Sequence, residues 1–181
     1  MTTSRRQFMA RTAPLAAGAG MIAALDRTVT AAPALPDTGA ETFFKVFPIG
    51  KVEKDGQTVR LRIFDQFVEG LLGLEEWSHV NVFYWFDKND VPQKRRILRV
   101  HPRGDQNNPL TGVFACRAPV RPNLIALSVC RIVSVKGNLV NVDQVDAFDA
   151  TPILDLKPFI PPDAPMEGVK VPAWAGLKGT P

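Results

Sequence analysis

Histidine and cysteine are scarce in this sequence of 181 residues, which contains two of each. His79 and His101 are far apart, and neither has cysteine or carboxylate neighbours at the spacing of a zinc site. The pattern G-x-S-x-G does not surround Ser78 or Ser128, so a nucleophile elbow is missing. Zinc enzymes and serine hydrolases are therefore disfavoured at the outset.

Long apolar runs are absent except near the N-terminus. Arg5 and Arg6 stand before Phe8, and an apolar stretch rich in alanine and glycine follows over 13–25. That run is too short to cross a hydrocarbon core of ~30 Å comfortably. The pattern predicts a twin-arginine signal peptide over residues 1–31, hence export to the periplasm through the twin-arginine translocase. Retention as an uncleaved anchor is the alternative.

The sequence also lacks an excess of positive or negative charge when the predicted signal peptide is left out of the count. The whole chain has 22 basic and 18 acidic residues, but the part after residue 31 has 18 and 17. A nearly neutral domain does not predict nucleic acid as a partner. We interpret the basic run over 93–104 as solvated strand ends.

Strand patterns dominate what is present. Residues 32–42 are predicted to be a flexible leader, and Val59, Leu61 and Ile63 then alternate with arginines as in a half-buried strand. The apolar run over 80–86 is typical of a central strand, with a base-stacking platform as the weaker alternative. A hairpin turn is predicted at Gly137 and Asn138. Further strands are predicted at 43–52, 97–100, 112–116, 127–135 and within 145–159, with one short helix in 68–77.

About seven short strands at this spacing predict an all-β fold, a small closed or nearly closed barrel. The barrel domain is placed at residues 43–161. A proline-rich C-terminal tail is predicted over 162–181.

Arginines flanked by residues that restrict the backbone are the main chemical signal. Arg103, Arg117 and Arg121 lie among prolines and glycines in "HPRGDQNNP" and "CRAPVRPN". Their planar, forked donors match carboxylates or phosphates. Two interpretations stay open: a clamp for an anionic or zwitterionic small molecule, or arginines that cap strand ends and pair with aspartates.

Four ordered segments carry a family resemblance. They are "GLEEWSHVNVFYWF", "RVHPRG", "GVFACRAPVRPNLIALSVCRI" and "DAFDATPILDLKPFIP", and together they resemble the TrmO/TsaA-like family from about residue 49 to 161. The resemblance implies a TsaA-like β-barrel that binds S-adenosyl-L-methionine, often as a homodimer. Characterised members of the family methylate the threonylcarbamoyl-adenosine next to a tRNA anticodon, and the resemblance implies a related activity here.

The resemblance also implies site residues. Arg117 and Leu127 match cofactor-contacting positions of the family. The stretch that contacts the cofactor through backbone and side chains corresponds here to Ile153, Leu154, Asp155 and Leu156. The pocket wall is implied to be shaped by Arg103, Phe114, Arg121, Pro122 and Asn123.

The sequence departs from the family pattern at several places, including the family's "RPNPIG", which is "RPNLIA" here. Members usually carry a longer loop after "IG", whereas here "IGKVEKDGQTVRL" runs almost directly into the next strand, which predicts a cofactor pocket with one wall missing. Asp87 and Lys88 stand where the family tends to have His-Gln. The family's "DGTP" has become the sequence Asp149, Ala150, Thr151, Pro152.

The implied function is that of an S-adenosyl-L-methionine-dependent methyltransferase, with an acceptor other than tRNA if the protein is exported. The alternative is an exported, non-catalytic protein that binds a nucleoside-like or anionic ligand on the same barrel. A purely structural role with a vestigial pocket is the third hypothesis.

The two cysteines occupy positions where the family usually has threonine and an aliphatic residue. Export would place them in an oxidising compartment, so a disulfide between Cys116 and Cys130 is predicted. Such a bridge closes about 15 residues and is worth roughly 3 kcal/mol in the chain-entropy model. The alternative is two reduced cysteines packed as small hydrophobic residues.

Overall fold

The structure, a computed structural model, describes residues 44–161 and 168–175. The predicted signal peptide at 1–31 and leader at 32–42 lie outside the described residues, and the tail at 162–181 falls within them only in part. No helix in the described part of the chain is long and apolar enough to span a membrane.

Six of the eight strands within the described residues close into a barrel. The strands are β1 (Gly50–Asp55), β2 (Thr58–Ile63), β3 (His79–Trp85), β4 (Arg99–Val100), β5 (Thr111–Gly112), β6 (Ile125–Lys136), β7 (Leu139–Val142) and β8 (Pro152–Pro158). Around the barrel the order is β1, β2, β7, β6, β3, β8, and β8 pairs back onto β1. The all-β barrel predicted from the sequence is therefore confirmed, with six barrel strands where about seven were expected.

Helical structure is limited to short pieces. One α-helical turn, α1, covers Pro92–Arg95. The 3-10 helices cover Asp65–Leu71, Leu74–Glu76, Asp87–Asn89, Pro102–Gly104, Val113–Ala115 and Ala173–Ala175. The helix expected over 68–77 is therefore two 3-10 helices that are separated at Gly73. The φ of Gly73 is 82°, a value that does not occur in a regular right-handed helix.

Alternation along the strands builds the core. In β3, Val80, Val82 and Tyr84 point into the barrel, while the residues between them are only partly buried. The interpretation of this run as a central strand is confirmed, since β3 pairs with both β6 and β8. Leu61 and Ile63 of β2 are buried in the same core.

Tight turns join the hairpins. β6 and β7 are connected by Gly137 and Asn138, as predicted, and Gly137 has a φ of 56° that suits glycine. β1 and β2 are likewise connected by only two residues, 56–57. The sequence "IGKVEKDGQTVRL" therefore folds as a short hairpin with no long loop.

Two predicted strand segments lie outside the barrel. Residues 97–100 and 112–116 contribute only the β4 and β5 ribbon, after which the chain enters a 3-10 turn. Prolines at 102 and 109 flank the ribbon and cannot donate ladder hydrogen bonds. The first predicted strand is also shorter than expected, because residues 44–48 are not in regular structure and β1 begins at Gly50.

Both cysteines are free thiols, so the predicted bridge is absent from this structure. The alternation of β6 directs Cys130 into the barrel core, where it is 1% exposed. Cys116 follows the 3-10 turn, and its thiol lies 3.5 Å from the carbonyl oxygen of Gly112. Burial, with a smaller contribution from Asp143, raises the pKa of the Cys130 thiol to about 12, which leaves it unreactive at neutral pH.

We expect iodoacetamide at pH 8 to modify one thiol in the native protein and two after unfolding without reductant. Mass spectrometry of peptides should locate the native adduct at Cys116, and the Cys116→Ser variant should take up none. A chain that resists alkylation even when unfolded would carry the disulfide instead.

Candidate functional site

The antiparallel strand order brings three connecting segments to one end of the barrel. β3 ends where β6 and β8 begin, because Trp85 pairs with Ile125 and Tyr84 pairs with Ile153. The segments beyond these strand ends are 86–90, here called the rim; 116–124, called the arginine loop; and 143–151, called the closing loop. Residues distant in sequence are therefore neighbours at this end.

An open cleft of about 200 Å³ lies between the rim and the closing loop. It offers aromatic faces together with a carboxylate, an ammonium group and backbone polar groups. Its lining residues are Tyr84, Trp85, Phe86, Asp87, Lys88, Asn89, Asp146, Ala147, Phe148 and Thr151. Concave sites that combine apolar walls with a few polar groups are typical of small-molecule binding.

The closing loop is anchored to the barrel from several sides. The hydroxyl of Tyr84, the only tyrosine in the chain, donates to the carbonyl oxygen of Asp146 at 2.6 Å. From β1, Lys54 donates through Nζ to the Val145 carbonyl at 2.9 Å and through its backbone N–H to Asp149 Oδ1 at 2.8 Å. Val145 itself is buried in the barrel core. One wall of the cleft is thus held in place by inward-facing groups.

Ala150 adopts an unusual backbone conformation at the end of this loop. Its φ is 62°, in the left-handed region, and its N–H donates to the Val52 carbonyl at 2.8 Å. The next residue, Thr151, is buried and lines the cleft. The strained residue therefore lies where the closing loop turns into β8.

The rim is tied to the start of β6 and to α1. The backbone N–H of Phe86 donates to the Leu124 carbonyl at 2.8 Å. Lys94 Nζ donates to Asn89 Oδ1 at 3.1 Å, and Arg95 Nε donates to Asp90 Oδ1 at 2.8 Å. Hydrogen bonds from Arg95 and then from the Trp85 indole hold the pKa of the Asp90 carboxyl below its usual range.

The arginines singled out from the sequence have different surroundings. Arg103 is exposed at a φ of 61°, and Arg117 is exposed; neither forms an ion pair with any described residue. Arg121 is half-buried and donates to the Val113 carbonyl at 3.1 Å. The strand-capping interpretation therefore suits Arg121, whereas Arg103 and Arg117 have guanidinium groups available for a ligand.

The other residues of the arginine-rich segments are not in the cleft. Phe114 is 78% exposed, Asn123 is exposed, and Pro122 is half-buried. The whole stretch 92–123 contains seven lysines and arginines but a single acidic residue, Asp105. This stretch of the sequence is therefore strongly positive.

The stretch 153–156 of β8 does not contribute side chains to this cleft. Ile153 is fully buried in the core, and Leu156 packs against that core. Asp155 faces outward and pairs with Lys157 at 2.9 Å, and its β3 neighbour in the ladder is Phe83. The reason is an irregularity in the pairing of β3 with β8: Tyr84 pairs with Ile153 but Phe83 pairs with Asp155, so the simple alternation of faces is interrupted between Ile153 and Asp155.

Leu127 lies on the outer face as well. It is half-buried on β6 and pairs with Phe83 on β3. Neither Leu127 nor Leu154 lines the cleft.

The cleft coincides instead with two of the departures from the family pattern. Asp87 and Lys88 form part of its floor, with Lys88 Nζ 3.2 Å from Asp87 Oδ2. Thr151 lies in the other departing stretch. The sequence marks these positions as departures from the family pattern but does not indicate that they lie in one site. The only local indication of a site is the turn-rich sequence "DAFDATP", which connects two strands.

Comparison with known proteins is consistent with this architecture. The family model of the tRNA-methyltransferase O N-terminal domain matches residues 43–163. The chain belongs to this family.

Relatives within the TrmO family differ in length and in name. A probable S-adenosyl-L-methionine-binding protein of Methanocaldococcus jannaschii is 52% identical over 112 residues, which are 62% of this chain and 89% of that protein. A tRNA (adenine(37)-N6)-methyltransferase of Mus musculus is 40% identical over 102 residues, which are 56% of this chain but 23% of that protein.

Solved structures resemble the barrel too. TrmO from Pseudomonas aeruginosa is 28% identical with a TM-score of 0.55, and the match covers 71% of this chain and 61% of that one. The chain thus spans about three fifths of the solved TrmO structure and less than a quarter of the mouse methyltransferase.

We expect Ala150→Gly to stabilise the fold. A left-handed backbone costs an L-residue about 1–2 kcal/mol, while glycine adds about 0.4–1 kcal/mol of unfolded-state freedom. The net gain in unfolding free energy should be about 0.5–1 kcal/mol by urea denaturation. The control Ala147→Gly, at a buried position of the same loop without positive φ, should lower stability; equal losses in both variants would contradict the assignment of strain.

Proposed function

We propose that this protein binds S-adenosyl-L-methionine at the end of the barrel where the cleft lies and acts as a methyltransferase of the TrmO family. The observation that carries the proposal is the 52% identity with a probable S-adenosyl-L-methionine-binding protein over 89% of that protein's length.

The groups present fit the chemistry of this cofactor. The half-buried Phe148 supplies apolar surface for an adenine ring, and Asp87 supplies a carboxylate for cationic or hydroxyl groups. Arg117, exposed in the arginine loop, supplies a guanidinium that can bind a carboxylate. The cleft is open, and its volume of about 200 Å³ includes space that is continuous with solvent, so only part of the cofactor would lie inside it.

When bound, S-adenosyl-L-methionine supplies an electrophilic methyl group on a sulfonium centre. The contribution of the protein is then chiefly orientation and exclusion of water, which account for a large part of the rate in transfer reactions. The anchored closing loop and the rim supply fixed walls, because both are hydrogen-bonded to the barrel. The arginine loop supplies the positive charge that orients an anionic end of the cofactor.

The homodimer expected from the family resemblance is part of the proposal. We also propose that Arg5 and Arg6 belong to an export signal and that the acceptor is therefore not tRNA, which is a cytoplasmic molecule.

A non-catalytic binding protein is the second candidate. It is favoured by the names of the relatives that this chain matches over most of their length, which are described by binding and not by methyl transfer. Formation of S-adenosylhomocysteine separates the two candidates.

We expect calorimetry of the full chain to show binding of S-adenosyl-L-methionine, and Phe148→Ala to weaken that binding about 10-fold through lost stacking. The matched control is Phe159→Ala, which removes the same ring at the opposite end of β3 and β8, beside His79. Absence of heat with millimolar ligand would contradict the proposed function. Sedimentation of the same samples reports whether the binding species is a homodimer.

The catalytic part is tested with methyl-labelled cofactor. The protein is incubated separately with RNA, protein and small-molecule fractions of its host, and S-adenosylhomocysteine is measured by mass spectrometry. Product with a non-RNA fraction supports the proposal, product only with RNA contradicts the proposed acceptor, and binding without product assigns the non-catalytic role.

We expect replacement of Arg5 and Arg6 by lysine to abolish export, because the signal depends on the arginine pair. Fractionation of host cells should find the native chain in the periplasm and the double variant in the cytoplasm. Replacing Arg11 and Arg27 by lysine is the control and should leave export unchanged. Cytoplasmic location of the native chain would contradict the export proposal.

A further inference from the structure

Arg95 links three parts of the molecule that meet beside the cleft. Its Nε donates to Asp90 Oδ1 at 2.8 Å, and its NH1 donates to the carbonyl oxygen of Pro122 at 3.0 Å. Its guanidinium carbon lies 5.3 Å from the centre of the Trp85 ring, which is within the range of a cation–π contact. The Trp85 indole in turn donates to Asp90 Oδ2 at 2.9 Å.

These contacts join the rim, which lines the cleft, to the arginine loop. Trp85 lines the cleft, and Asp90 ends the rim directly after the buried residue Asn89. Pro122 belongs to the arginine loop, five residues after the exposed Arg117. The two segments are also joined through the backbone, where the Phe86 N–H donates to the Leu124 carbonyl.

We propose that Arg95 is a positioning residue that holds the arginine loop against the rim and thereby sets the distance between Arg117 and the cleft. This inference deepens the proposed function and rests on it for the identity of the ligand. The buried residues Ala118 and Leu124 fix parts of the arginine loop to the core, and Arg95 adds a contact that reaches the loop from α1 at Pro122.

The chemistry of the contact requires arginine. A guanidinium presents several donors in one plane, so it bonds Asp90 and Pro122 together while its face lies on Trp85. A lysine at this position keeps the charge but has a single nitrogen on a flexible stem. Arg95→Lys therefore tests geometry with the charge unchanged.

Cys116 provides a reporter at the start of the arginine loop. Its alkylation rate in the native protein measures how firmly the loop is held, independently of any ligand. We expect Arg95→Lys to raise this rate about 5-fold or more, since loss of a charge-assisted contact allows the loop to open more often. An unchanged rate would overturn the inference.

Affinity for S-adenosyl-L-methionine is the second measurement. We expect Arg95→Lys and Asp90→Asn each to weaken binding about 10-fold and the double variant to be no weaker than either alone, because both changes break one unit. Additive losses, or affinities equal to those of the native chain, would overturn the positioning role.

A matched control lies on the opposite side of the barrel. Arg62 on β2 pairs with Glu53 through Nε at 2.6 Å and is 38% exposed, against 32% for Arg95. In the strand order β2 and β3 are three strands apart in either direction. Arg62→Lys should change stability comparably but leave Cys116 alkylation and ligand affinity unchanged; if it matches Arg95→Lys in both, the effect of Arg95 is general destabilisation and the inference fails.

The outcomes also separate this inference from the proposed function. If the native chain fails to bind S-adenosyl-L-methionine while Arg95→Lys accelerates Cys116 alkylation, the proposed function fails and the loop anchor stands. If the native chain binds and neither measurement responds to Arg95→Lys, the inference fails and the proposed function stands.

Discussion

Closure of the barrel by β8 is the constraint on which the rest of the structure depends. β8 pairs with β1 on one side and with β3 on the other, although β7 precedes it in the chain. The chain must therefore cross from β7 over the ends of β6 and β3 to reach its place, and the closing loop is that crossing. Val145 and Ala147 of the closing loop are buried, so the loop covers this end of the core. The same loop also forms one wall of the cleft.

The same crossing explains why polar groups lie inside this end of the barrel. Tyr84 is 1% exposed, yet its hydroxyl is bonded to the Asp146 carbonyl and lies 3.3 Å from Ser128 Oγ. A buried tyrosine hydroxyl without a partner would be costly. This bond couples the packing of β3 to the placement of the closing loop. The cleft end of the barrel therefore has a rigid base, whereas the position of the arginine loop is set in part by side chains such as Arg95.

The fold class was predictable because it depends on local pattern. The alternation around Leu61, the apolar run of β3 and the turn at Gly137 are each encoded within a few residues, and each is present in the structure. Strand number was less predictable, since the segments at 97–100 and 112–116 have strand-like composition but pair only with each other. The cysteines illustrate the same limit: the phase of β6 directs Cys130 inward, away from Cys116.

The candidate site was predictable only in part. The sequence and the family resemblance predicted site residues in the arginine loop and in 153–156. In the structure, the stretch on β8 lies in the core and on the outer face of the barrel, and the cleft is lined by the segments around Asp87 and Phe148. By itself the sequence determined the strands, the family, and the positive charge between residues 92 and 123, because these depend on residue type and short spacing. Only the tertiary structure decided which segments meet: the order of β6, β3 and β8 brings residues 86–90, 116–124 and 143–151 together, and strand order is a property of long-range pairing that no local pattern encodes.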